Sequence, residues 1–132
     1  MLKEVIKYTD FDGNNCEEEY SFNLSKPELG RLEVKYKDGL EAEMKRMADE
    51  NDRSGMMNFL EDIIISSYGE KTPDGKGFIK DPEKTKAFRY SIAYSELYGK
   101  LFSSEDTLES FVKGILPPAE PNIPAPDLQV VK

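Results

Sequence analysis

Apolar and polar positions alternate along the first part of the chain. From Leu2 to Thr9, Leu2, Ile6 and Tyr8 fall on one side and Lys3 and Lys7 on the other, with Val5 the exception on the polar side. Glu18 to Leu24 alternate more cleanly, with Glu18, Tyr20, Phe22 and Leu24 opposite Glu17, Glu19, Ser21 and Asn23. A period of two is that of a strand with one face buried. Between the two runs lies Asp10-Phe11-Asp12-Gly13-Asn14-Asn15, rich in residues that tolerate positive φ. Residues 2–24 therefore predict a β-hairpin.

Beyond Leu24 the apolar spacing lengthens to three and four, the spacing of helices. Ser25-Lys26-Pro27-Glu28 fits a capping box that opens a helix with Leu29, Leu32 and Tyr36 on one face. Asp38-Gly39 breaks it, and Leu40, Met44, Met47 and Ala48 form the next stripe. After the polar break Asn51 to Ser54, with Ser54 as the expected N-cap, come Met56, Met57, Leu60, Ile63, Ile64 and Tyr68 at helical spacing. Phe59 and Ile65 stand off that stripe, so this helix is apolar nearly all round and is expected at the centre. Gly69 is its expected C-cap, and Glu70 to Gly77, containing Pro73-Asp74-Gly75, reads as a loop with a tight turn.

Asp81-Pro82 restarts a helix. Tyr94, Leu97, Tyr98, Leu101 and Phe102 mark another, and Leu108, Phe111, Val112 and Ile115 a last one capped by Ser103 or Ser104. From Pro117 onward, 16 residues hold 5 of the 8 prolines, which bars any further helix. The expectation is an α+β, mostly α fold: a hairpin over 2–24, then a compact bundle of about five or six short helices over 25–116. Residues 1–116 would form one globular domain, followed by a Pro-rich extended or disordered tail over 117–132.

Composition narrows the function more than the fold. Asp and Glu number 26 against 18 Lys and Arg, a net charge of −8, and the basic residues are scattered beside acidic ones. A phosphate-backbone binder needs a basic stripe, so nucleic acid is not an expected partner. The chain has no histidine and one cysteine, Cys16, which removes the usual zinc ligands and every Ser-His or Cys-His nucleophile. One cysteine also excludes an internal disulfide and suits a reducing compartment. No apolar run reaches the roughly 20 residues of a membrane span, and Met1 to Val5 lack a signal core. The expectation is a non-enzymatic protein without cofactor, catalytic residue or membrane partner.

Three constellations could carry chemistry, and each has a plainer reading. Asp10-Phe11-Asp12-Gly13 resembles the nucleophile motif of haloacid-dehalogenase-type phosphatases, but the preceding strand carries lysines and no parallel-sheet pattern follows. Asp10, Asp12 and Asn14 match three ligand positions of a calcium loop, yet Asn15 replaces its glycine and Ser21 its bidentate glutamate. A hairpin turn accounts for both, and no metal ligand is assigned. Met44, Met47, Met56 and Met57 lie on two neighbouring helices. Thioethers suit grooves that accept varied apolar partners, so these four are the candidate partner-binding residues, with core filling as the plainer alternative.

Several segments together carry a family resemblance. They are Tyr8-Thr9-Asp10-Phe11-Asp12-Gly13, Phe22-Asn23-Leu24-Ser25, the run Ser67 to Lys80 containing Thr72-Pro73-Asp74-Gly75-Lys76-Gly77, then Ala93-Tyr94-Ser95-Glu96-Leu97 and Gly114-Ile115-Leu116-Pro117. In this order they span about residues 5–117, and the chain resembles the small tail assembly chaperones of long-tailed (siphovirus-type) phages and prophages of Gram-positive bacteria. The resemblance implies a chaperone in the cytoplasm of the infected or lysogenic host. It would keep the tape-measure protein soluble and help recruit tail-tube protein during tail morphogenesis, with self-association left open. The alternatives are a minor structural virion protein, in the tail or the head–tail joint, and a small host-directed inhibitor.

Overall fold

The first 24 residues pair as their alternation predicts. In a computed structural model describing residues 1–118, β1 (Leu2–Thr9) and β2 (Asn15–Phe22) run antiparallel in register from Leu2 opposite Phe22 to Thr9 opposite Asn15. Asp10 shapes the turn: its Oδ1 accepts from the backbone N–H of Asp12 at 2.9 Å and of Asn14 at 2.8 Å. Ile6, Phe22 and the following Leu24 point into the core, whereas Val5 is exposed on the polar face.

Among the described residues six helices follow, interrupted by a second hairpin. They are α1 (Lys26–Lys35), α2 (Leu40–Asp49), α3 (Arg53–Ser67), α4 (Pro82–Arg89), α5 (Ile92–Ser103) and α6 (Glu105–Ile115). Their starts are fixed by local chemistry. The capping box is complete, with Glu28 N donating to Ser25 Oγ at 3.3 Å and Ser25 N to Glu28 Oε1 at 2.9 Å. Asp81, Ser91 and Ser104 cap α4, α5 and α6. At α3 the expectation of Ser54 is corrected: Asp52 is the N-cap, its Oδ1 accepting from Gly55 N at 2.9 Å. A carboxylate in the first turn's N–H cluster outcompetes a hydroxyl two residues on.

The end of α3 also differs from the expectation. Gly69 does not cap it; the helix passes at Tyr68 straight into β3 (Tyr68–Lys71), which pairs with β2 on one side and β4 (Phe78–Ile79) on the other. The sheet is thus four-stranded, in the order β1-β2-β3-β4. Gly69 is required for close approach instead, because a Cβ there would meet Phe78 Cε2 at 2.6 Å and the Ile79 carbonyl oxygen at 2.7 Å. The turn joining β3 to β4 places Gly75 at φ +75°, and Asp74 Oδ1 accepts from Lys76 N at 3.0 Å.

One core binds these elements. Phe59, Leu60, Ile63 and Ile64 of α3 are fully buried, between α2 on one side and α5 on the other. Phe59, expected off the stripe, belongs to it, and Met57 lies outside at 44% exposure, because neighbours on two sides shift the buried arc. Phe22 meets Phe111 with ring centres 5.3 Å apart, and Tyr68 stacks on Phe88 at 4.3 Å, so aromatic rings join the sheet to α4 and α6. Leu108, Phe111, Val112 and Ile115 of α6 are all buried, as their spacing predicts. Of the expected Pro-rich tail over 117–132, residues 119–132 lie outside the described residues.

The tyrosines tie this core to pH. Burial raises Tyr36, Tyr68, Tyr94 and Tyr98 above the usual phenol value, Tyr94 to about 12, and Asp62, accepting from Tyr36 Oη at 2.6 Å, adds to the effect there. Glu18, accepting from Tyr8 Oη, raises Tyr8 to about 12, and burial together with Glu18 raises Tyr20. The folded state therefore favours neutral phenols relative to the unfolded value of 10.0. Stability from these groups is complete below pH 10 and drains away as pH rises toward 12. Titration followed by tyrosinate absorbance and circular dichroism should show ionisation and unfolding together above pH 10. Full ionisation with the helices intact would contradict this.

Candidate functional site

The four methionines do not form one surface. Met44 and Met47 sit in the core at 0% and 2% exposure, on the inner face of α2. Their period of three and four faces α3 and α6, which is where an amphipathic helix puts its apolar side. Met56 is half-buried and Met57, the next residue round the same turn of α3, is exposed. Met47 and Met56 come together only at a cleft of about 350 Å³ that also takes in Arg53, Leu101, Phe102 and Leu108. The guanidinium of Arg53 lies 5.0 Å from the centre of the Phe102 ring, so its charge is already engaged.

The Asp10 turn is occupied by its own backbone. Besides the two N–H donors, Asn14 Nδ2 and Cys16 Sγ approach its second oxygen at 3.4 and 3.8 Å. The backbone N–H of Asn14 above all holds the Asp10 carboxyl below the usual carboxylate range. Its lone pairs are spent on keeping the turn closed, and Phe11 stands at the tip at 89% exposure. Among the described residues, no group of three or more His, Cys, Asp or Glu side chains could hold a metal ion.

A second cleft, of about 660 Å³, opens between α1, the end of α3 and α4. Half-buried Leu32 and Ile65 supply apolar surface, and Tyr90, 74% exposed, stands at the α4 end. Four cations line it, Arg31, Lys80, Lys86 and Arg89, against the single carboxylate of Glu28. Arg89 pairs with Glu61 from outside the cleft. Lys80 is the structural one of the four. Its Nζ donates to the Ser66 carbonyl at 2.6 Å, the Asn23 carbonyl at 2.9 Å and Glu28 Oε1 at 3.0 Å. It thereby joins the link between β4 and α4 to the end of α3 and the start of α1.

Burial pushes the Glu28 carboxyl up, but the Ser25 N–H and the Lys80 ammonium outweigh it and hold it below the usual carboxylate range. Arg31 and Lys86 are exposed and make no ion pair among the described residues. Sequence reasoning missed this cleft because its cations are spread from position 31 to 89 and form no cluster along the chain. The signal that was available is Lys80 itself, a lysine closing the most distinctive segment of the chain.

No helix of the described residues is long and apolar enough to cross a membrane. Among curated proteins and among solved structures nothing matches the chain. The family model described as phage tail assembly chaperone matches residues 1–120, which takes in every strand and helix described above. The chain belongs to the phage tail assembly chaperone family.

Proposed function

We propose that the protein binds the tape-measure protein of a long-tailed phage or prophage of a Gram-positive bacterium, in the cytoplasm of the infected or lysogenic cell. It holds the apolar helical segments of that protein in solution until the tail tube assembles around them, and it helps bring in tail-tube protein. Residues 1–116 act in this as a single unit. The observation that carries the reading is the family match over residues 1–120, which takes in every strand and helix described. A small acidic body with clefts between helices supports it, since covering apolar helices is what prevents their aggregation.

A holding protein leaves when its client is packaged. Mass spectrometry of purified virions should therefore find no copies of this chain, while the lysate contains it bound to the tape-measure protein. A fixed number of copies in the finished particle would make it a minor structural virion protein instead.

A further inference from the structure

We propose that the cleft between α1, the end of α3 and α4 is where the partner docks, and that it takes an amphipathic helix whose apolar stripe is flanked by carboxylates. This names the capture site for the function proposed above and rests on that reading for the partner's identity. The argument is one of charge. A body of net charge −8 repels acidic segments over most of its surface. This cleft inverts that sign locally, and two of its cations, Arg31 and Lys86, are not committed to any carboxylate among the described residues. They stand on α1 and α4, the two helical walls, with the apolar side chains of Leu32 and Ile65 between. A helix laid between the walls would cover the aliphatic surface and bring its flanking carboxylates to the two free cations. The methionine cleft is smaller, and Arg53, its cation, already lies over Phe102.

The test uses two designed peptides of about 18 residues, each with one leucine stripe, flanked by Glu in one and by Lys in the other. Overall charge alone would make the Lys peptide bind the acidic protein more tightly. The cleft predicts the reverse, a preference for the Glu peptide of tenfold or more by fluorescence anisotropy in low salt. The double substitution Arg31→Glu with Lys86→Glu should abolish or invert that preference, while Lys3→Glu, exposed on β1 and outside the cleft, should leave it. Circular dichroism confirms that both variants are folded. Tighter binding of the Lys peptide, or an unchanged preference in the double variant, would overturn the proposal. So would a tenfold gain on ending the chain after Pro118, because residues 119–132 would then be the occupant. No phage protein enters this measurement, so the cleft stands or falls apart from the tape-measure reading.

Discussion

Met44→Glu should unfold the protein, and Met57→Glu should leave it standing. Met44 is fully buried between α2 and its neighbours, with no cation beside it in the core. A carboxylate placed there either stays ionised without a partner or takes up a proton, and it vacates the thioether's packing in both cases. The cost is upward of about 5 kcal/mol, comparable with the whole stability of a domain this size. Met57, at 44% exposure, already meets water, and a charge there should change stability by no more than about 0.5 kcal/mol. Thermal melts by circular dichroism give the comparison directly. A cooperative melt for Met44→Glu within a few degrees of the parent would mean that α2 does not pack as described.

Lys80→Met should cost the fold about 3 kcal/mol, a fall of about 10 °C in Tm. The substitution keeps the aliphatic length and removes the ammonium. Two backbone carbonyls, Asn23 and Ser66, then lose their donor, and Glu28 loses its cation in a half-buried site. Ser66 lies in the last turn of α3, where carbonyls lack helical partners and a cation is most favourable. Lys84→Met is the control: Lys84 also pairs with a carboxylate, Glu70, at 2.8 Å, but both side chains are 56% exposed. An exposed pair of that kind contributes little, so the control should melt with the parent. Equal losses in the two variants would show that Lys80 acts as a surface charge and not as a tie.

What could be read in the sequence was whatever is decided locally. The Ser25–Glu28 capping box, the Asp38-Gly39 break and the α6 stripe depend on residues three or four positions apart, and all three stand where their spacing puts them. β3 and β4 were not legible, because strands of four and two residues, with Glu70 and Lys71 polar in succession, carry no alternation. β3 exists through pairing with Ser21 and Phe22, some 47 positions away in the chain, and β4 through pairing with β3. Gly69 misled for the same reason: a glycine after a helix is usually a cap, and only the approach of Phe78 gives it another purpose.

The candidate site followed the same division. A methionine stripe signals an amphipathic helix but not which side of it faces water, and here α3 and α6 take up the face with Met44 and Met47. The cleft with Arg31 and Lys86 exists only once α4 has folded back beside α1 across the second hairpin.

The proposed role of this protein is to keep the tape-measure protein in solution. The direct measurement is co-expression of the two in a bacterial host, followed by centrifugation and quantification of the tape-measure protein in supernatant and pellet. The tape-measure protein should pellet when expressed alone and move to the supernatant, bound to this chain, when both are made. A tape-measure protein that pellets to the same extent with and without this chain would contradict it.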